Sequence, residues 1–201
     1  QRYQYAQGNR YYKRHLVPIG EFVPFGELLR PIAPFFNLPM SSFSRGAEEQ
    51  ENILVRGHRF ATAICYEMAF SDELRQNVHA DTDYLLTVSN DTWFGTSHGP
   101  WQHMEITRMR AVEFAKPVIR ATNSGVTVAF DAQGKELGRL PQFEQQVLRV
   151  KVAAASGETP YNRIGSWPLF GFVAMALLGA FWYQRKFALK ADAAGDRKSV
   201  V

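Results

Sequence analysis

One thiol, one amine and two carboxylates are the side chains in this sequence that could carry out chemistry together. Cys65 is the only cysteine among the 201 residues, and it follows a short apolar run, 61–64, that is typical of the end of a buried strand. Ser71 and Asp72 come soon after it and have the composition of a helix start. We therefore expect Cys65 on a tight turn between a strand and a helix, where a thiol can be exposed and aimed at a substrate.

A single cysteine is more often a small buried hydrophobe than a nucleophile, so Cys65 needs partners. Lys13 lies near the end of a predicted strand, Glu21 lies in an apolar loop, and Glu67 follows the thiol by two residues. A thiolate that attacks an acyl carbon needs a base to take its proton and a cation or hydrogen-bond donors to hold the oxyanion that forms. A lysine near Cys65 meets the second need.

Two histidines, His98 and His103, could be considered as a metal pair. No third ligand is evident in the sequence, so we expect both side chains to make polar surface or loop contacts.

The elements that must position these groups alternate between strands and helices. Two strands are predicted on either side of a turn within 1–16. Further strands are predicted at 52–56, 58–64, 84–89, 118–122, 126–130 and 146–152, helices at 71–78 and 102–116, and a hairpin turn at 131–135. This alternation predicts an α/β layered domain over residues 1–155. A glycine-rich aromatic loop, 92–101, directly follows the strand 84–89, at the sheet edge where ligand sites gather in α/β proteins.

Residues 17–39 are rich in proline and in large apolar side chains, which is unusual for a loop. Residues 17–27 are either buried beside a site or in contact with an apolar partner. For residues 28–39 two interpretations stay open: a short helix packed on the core, or a flap at a membrane surface or a lipid substrate.

The last quarter of the chain has a different character. The run Trp167–Tyr183 has no charged residue, carries aromatic residues at both ends and is followed by Arg185, Lys186 and Lys190. We predict a linker over 156–166, a transmembrane helix over 167–184 and a basic cytoplasmic tail over 185–201, with the α/β domain on the opposite side of the membrane. The net charge of +4 is modest and the basic residues are scattered, so no nucleic-acid partner is expected.

Several ordered blocks resemble one protein family. Residues 12–24 (YKRHLVPIGEFVP) resemble the lysine block of the nitrilase superfamily, and above all of its membrane branch, the apolipoprotein N-acyltransferases. Residues 64–67 (ICYE) resemble the nucleophile block of that branch. The segments 89–95, 102–103, 110–113, 120–125 and 131–134 match its later blocks in order.

The resemblance implies an αββα nitrilase-like sandwich, incomplete at its N-terminus, on the periplasmic face of a bacterial inner membrane. It implies a fatty acyl chain moving from phospholipid to Cys65 as a thioester, and then to the N-terminal amine of an S-diacylglyceryl-cysteine apolipoprotein, without a metal or organic cofactor. Lys13 would stabilise the oxyanion and Glu21 would orient Lys13 or assist proton movement. Supporting roles for Tyr66 and Glu67, and contact of Trp93 and Phe94 with acyl chains, complete the implied site.

The family's general base, a glutamate, lies upstream of the lysine block, and no block that matches it is present in these residues. Because the sequence begins without methionine and in the middle of a predicted strand, we interpret it as a piece of a longer chain. We expect these 201 residues alone to bind poorly and not to turn over. Two other functions stay open: a membrane-anchored amidase of the nitrilase type, in which water accepts the acyl group, and a non-catalytic binding module with a structural cysteine.

Overall fold

The computed structural model describes residues 9–18, residue 21 and residues 43–195. It divides the chain into two compact units, Gln1–Arg163 and Ile164–Val201. The strand predicted within 1–8, most of the apolar segment 17–39, and residues 196–201 of the predicted tail lie outside the described residues.

A six-stranded mixed sheet is the framework of the first unit within the part of the chain that the structure describes. Its strands are neighbours in chain order: β1 (Ile53–Val55), β2 (His58–Ile64), β3 (Tyr84–Ser89), β4 (Val118–Thr122), β5 (Val128–Phe130) and β6 (Glu136–Arg139). The central strands β2, β3 and β4 are parallel to each other, and the outer pairs are antiparallel.

Two of the antiparallel connections, β1 to β2 and β5 to β6, are turns. Arg56 and Gly57, between β1 and β2, both have positive φ (50° and 84°), as a two-residue hairpin turn with right-handed strand twist requires. The predicted hairpin turn at 131–135 is confirmed, since the Asp131 carboxylate accepts hydrogen bonds from the backbone N–H groups of Gln133 and Lys135, both at 2.9 Å.

Four helices are described: α1 (Ser71–Arg75), α2 (Gly99–Phe114), α3 (Pro160–Ile164) and α4 (Trp167–Gly195). Helix α2 packs on one face of the sheet, where Met104 and Phe114 meet Leu85, Val118 and Phe130 in a buried apolar core. This α layer on a mixed sheet is what the described residues contribute to the predicted sandwich.

Two predicted strands are wrong. Residues 9–16 do not form a strand, and side chains rather than a neighbouring strand bind part of their backbone: the Tyr12 N–H donates to Gln50 Oε1 at 2.9 Å. Residues 146–152 alternate as a strand would but have no ladder partner among the described residues. They lie over the sheet near Gly138 and line, with β4 and β5, a cavity of about 790 Å³.

The second unit contains α4. Its segment Trp167–Lys186 is long and apolar enough to cross a membrane, and none of that segment is buried. The predicted membrane-spanning helix is therefore present as a helix of the required length and composition.

Candidate active site

Cys65 lies directly after β2 and is the first residue of a short 3-10 helix, Cys65–Ala69. The predicted arrangement of strand, tight turn and helix is confirmed. Cys65 has φ +58°, a left-handed conformation that is uncommon for a residue other than glycine. The thiol is free and partly exposed. Such a conformation persists where the surrounding contacts determine it, and it is typical of functional sites.

Glu67 supplies one of those contacts from a buried position, with only 6% of its surface exposed. Its Oε2 accepts the Ile64 N–H at 2.6 Å and the Tyr11 hydroxyl at 3.0 Å. Its Oε1 accepts the backbone N–H groups of Arg14 at 2.6 Å and His15 at 2.9 Å. One carboxylate thus binds the residue before Cys65 and the two residues after Lys13, and it joins the two segments that carry the predicted chemistry.

The partly buried Tyr11 hydroxyl is held by that carboxylate. Burial, together with the negative charge and the hydrogen-bond acceptance of Glu67, raises the pKa of Tyr11 well above its ordinary value. Tyr11 therefore stays a donor to Glu67 across the physiological range.

Lys13 and Glu21 form a close ion pair. Lys13 Nζ lies 2.6 Å from Oε1 and 2.7 Å from Oε2 of Glu21, and the side chains are 12% and 29% exposed. The Val17 N–H also donates to Glu21 Oε2 at 2.9 Å. The backbone carbonyl of Lys13 accepts the Gly46 N–H at 2.9 Å, so both ends of the lysine are fixed. The structure places a held ammonium group on the segment that Glu67 joins to the Cys65 turn.

Tyr66 is part of an aromatic cluster beside the thiol. Its ring makes edge contacts with Phe70, at a centroid distance of 4.7 Å, and with His15, at 5.4 Å. The His15 ring also stacks on Phe70 at 3.8 Å. Tyr66 thus helps to pack the lysine-bearing segment onto the 3-10 helix, while more than a third of its own surface stays exposed.

Trp93 and Phe94 belong to a second 3-10 helix, Thr92–Phe94, which follows β3. They differ in their surroundings. Trp93 is 83% exposed, so its ring is available to a ligand. Phe94 packs on Gly99 at the start of α2, where any side chain would collide with it, and its ring lies 6.2 Å from that of His103.

The residues behind Cys65 were not identified from the sequence. Of the two contacts expected for His103, the surface alternative is wrong because the side chain is buried, whereas polar contacts with loops are present: its Nε2 lies 3.0 Å from the Cys65 carbonyl oxygen and its Nδ1 lies 3.2 Å from Asp91 Oδ1. Asp91 also accepts a hydrogen bond from Arg120 at 2.7 Å, in an ion pair without solvent exposure. The signal that could have been used is Arg120 itself, because an arginine inside an apolar strand requires a buried acidic partner.

His98, in contrast, is exposed as expected. Within residues 9–18, 21 and 43–195, no three His, Cys, Asp or Glu side chains are grouped so that they could hold a metal ion.

Comparisons with known proteins show which family this chain resembles. Residues 2–161 match the family model described as carbon-nitrogen hydrolase. The chain is 56% identical to an apolipoprotein N-acyltransferase from Vibrio vulnificus, over 92% of this chain and 36% of the relative. It is 57% identical to one from Photobacterium profundum over 87% of this chain and 34% of the relative, and 52% identical to one from Haemophilus influenzae over 88% and 34%. The chain spans about a third of the length of these curated relatives.

Similar solved structures include an amidase from Nesterenkonia sp., with a TM-score of 0.45 and 14% identity over 79% of this chain and 54% of that chain. Another is a carbon-nitrogen hydrolase from Helicobacter pylori, with a TM-score of 0.45 and 14% identity over 51% and 43%. The family match over residues 2–161 confirms the predicted nitrilase-like fold class and an enzyme family that uses a cysteine nucleophile. This chain belongs to the carbon-nitrogen hydrolase family.

Proposed function

We propose that the protein transfers a fatty acyl chain from phospholipid, through a thioester on Cys65, to the N-terminal amine of S-diacylglyceryl-cysteine apolipoproteins. The observation that carries the proposal is the clamp at Glu67, which holds the turn of Cys65 and the segment of Lys13 with one carboxylate. The names of the relatives supply the reaction, and since the chain spans about a third of their length, their activity is proposed for this protein rather than shown.

The chemistry follows from the groups present. The Cys65 thiolate attacks the ester carbonyl of the phospholipid and forms a tetrahedral oxyanion, which the Lys13 ammonium stabilises. Collapse of this intermediate releases the lysophospholipid as an alcohol, once its alkoxide has taken a proton, and leaves the acyl thioester. The acceptor amine then attacks the thioester and gives up a proton to the base, so that an amide forms and the thiolate leaves. Glu21 directs the Lys13 ammonium through its two-oxygen contact.

The base that removes the thiol proton is a separate part of the proposal. The resemblance assigns it to a glutamate upstream of the Lys13 block. Glu67 cannot serve, because its carboxylate oxygens accept four hydrogen bonds that hold the backbone. Glu21 is occupied by Lys13 and the Val17 N–H.

The substrates of this proposal are lipids, and two features of the chain suit them. Helix α4 has the length and composition of a membrane anchor, and the basic residues Arg185 and Lys186 after its apolar run favour a cytoplasmic C-terminus, with the catalytic unit in the periplasm. The exposed ring of Trp93 and the apolar segment 17–39 are proposed to contact acyl chains.

The test uses the complete protein, a phospholipid with a labelled acyl chain and a peptide that begins with S-diacylglyceryl cysteine. We expect a labelled amide on the peptide and a matching amount of lysophospholipid. Cys65→Ala and Lys13→Met should each abolish the product, while Lys135→Met, a change at an exposed lysine in the hairpin turn, should leave the rate unchanged. Release of labelled fatty acid at the same rate with and without the peptide would instead identify a hydrolase and overturn the proposal.

A further inference from the structure

His103 faces two hydrogen-bond acceptors at once. Its Nε2 is 3.0 Å from the carbonyl oxygen of Cys65, and its Nδ1 is 3.2 Å from the carboxylate of Asp91. A neutral imidazole has one N–H group and can donate only one of these hydrogen bonds. A ring with one bare nitrogen would place a lone pair against an acceptor at the other contact, in a site where only 6% of the His103 surface meets solvent.

Asp91 cannot resolve this conflict by carrying the proton. Burial on its own would raise the pKa of Asp91, but hydrogen bonds from His103 and Ser89 and the charge of Arg120 outweigh burial and lower its pKa to about 2. The Ser89 hydroxyl donates to the same oxygen as His103, at 2.6 Å, and Arg120 binds the other oxygen at 2.7 Å. The carboxylate is therefore ionised and accepts only.

The contact with Cys65 acts on its strained backbone. The backbone is held by a side chain on each side of Cys65: Glu67 accepts the N–H of Ile64, the residue before it, and His103 reaches the carbonyl of Cys65 itself. Cys65 keeps φ +58° between these two contacts. Without the second contact, its carbonyl can rotate and the residue can relax toward the ordinary right-handed region, which moves the thiol.

We infer that His103 is a positioning residue for Cys65, and that it works as a doubly protonated imidazolium that donates to the Cys65 carbonyl and to the Asp91 carboxylate. Arg120 anchors the far end, since its guanidinium also binds the Val126 carbonyl at 3.3 Å. A chain of hydrogen-bonded side chains therefore links three elements to the nucleophile turn: Arg120 from β4, Asp91 after β3 and His103 from α2. Its catalytic consequence rests on the proposed function, whereas the protonation state of the ring does not.

The first test is spectroscopic and needs no substrate. In the complete protein with ¹⁵N-labelled histidine rings, the signals that disappear in His103→Gln belong to His103. Because each ring nitrogen faces an acceptor, we expect both of them to be protonated at pH 7. A signal from an unprotonated ring nitrogen of His103 at pH 7 would overturn the inference, even if the protein proves to be an acyltransferase.

The second test separates positioning from folding. His103→Phe keeps a ring of similar size without an N–H group, and His103→Gln keeps one donor at the position of Nε2. We expect His103→Phe to lower the single-turnover rate of Cys65 acylation about 100-fold, as a small displacement of a reacting group does, with the KM for phospholipid unchanged. His103→Gln should recover at least a tenth of the wild-type rate.

The amount of folded protein is measured alongside by its thermal transition, so that rates refer to folded enzyme. Equal rates per folded molecule in wild type and His103→Phe would overturn the inference, as would a loss in His103→Gln as large as that in His103→Phe. If His103→Phe does not fold, two measurements test the inference instead: the acylation rate of His103→Gln relative to wild type, and the ring signals of His103. If wild-type Cys65 is never acylated, the proposed function fails while the ring signals still test the protonation state.

Discussion

Replacing Glu67 with glutamine removes the clamp between the lysine segment and the nucleophile turn without changing the size of the side chain. The carboxylate accepts four hydrogen bonds, whereas a glutamine amide has one oxygen. If that oxygen stays with the N–H groups of Arg14 and His15, the amide NH₂ faces the Ile64 N–H, and two donors then oppose each other. The Tyr11 hydroxyl can turn and accept, so Ile64 is the group left without a partner.

The size of the effect follows from these contacts. An unpaired buried donor costs about 1–3 kcal/mol, and each of the two retained bonds loses about 1 kcal/mol when its acceptor is no longer charged. The sum of about 3–5 kcal/mol is a large part of the stability of a typical domain, about 5–15 kcal/mol. For a unit of this size it corresponds to a fall in Tm of about 10 °C.

The assay is thermal unfolding of the complete protein, followed by tryptophan fluorescence. The matched control is Glu73→Gln, because Glu73 also contacts His15 but is a third exposed, so that its loss should cost less than about 1 kcal/mol. We further expect Glu67→Gln to slow acylation of Cys65 more than Glu73→Gln does. Equal Tm values for the two variants would refute the clamp.

Three further predictions concern acid, alkali and the exposed ring. Because the pKa of Asp91 is lowered to about 2, its ionised form stabilises the fold fully above about pH 4, and this contribution of about 2 kcal/mol is lost as the pH falls from 4 to 2. The difference in unfolding free energy between wild type and Asp91→Asn should therefore shrink over that interval. A constant difference would contradict the assignment. Because burial and Glu67 raise the pKa of Tyr11, its hydroxyl should not ionise near pH 10 in the folded protein. The absorbance titrations of folded wild type and Tyr11→Phe should therefore coincide up to pH 11. A tyrosine transition near pH 10 that is present in wild type and missing in the variant would contradict this prediction. Trp93 is 83% exposed, so Trp93→Ala should leave Tm unchanged while raising the KM for phospholipid several-fold. The control Trp101→Ala, which loses the contact of that ring with Arg139, should leave the KM unchanged. An unchanged KM for Trp93→Ala would remove Trp93 from the substrate site.

The sequence predicts the central elements of this fold well. The largely apolar runs 84–89 and 118–122 become β3 and β4 with the same bounds, because short runs rich in β-branched and aromatic residues fit strands that pack on a core. The turn that carries Cys65 is also as predicted, since an apolar strand that ends just before a helix start leaves little choice of geometry.

Other features depend on what a side chain meets in three dimensions. Alternation at 146–152 indicates a strand, but a strand also needs a hydrogen-bonded neighbour, and the sequence of one segment does not specify it. His103 has no local signal, because its partners Asp91 and Cys65 are 12 and 38 residues away along the chain. The same holds for Glu67: its nearness to Cys65 was visible in the sequence, whereas its three hydrogen bonds to the distant segment 11–15 were not.

The central claim is that Cys65 carries the acyl group, and mass spectrometry of the complete protein tests it most directly. After incubation with phospholipid alone, the peptide that contains Cys65 should carry a fatty acyl adduct that hydroxylamine removes, and the acceptor peptide should discharge it. Cys65→Ala, incubated in parallel, should carry none. A wild-type Cys65 peptide that stays unmodified in the presence of phospholipid, in protein that converts phospholipid and acceptor to product, would contradict the account.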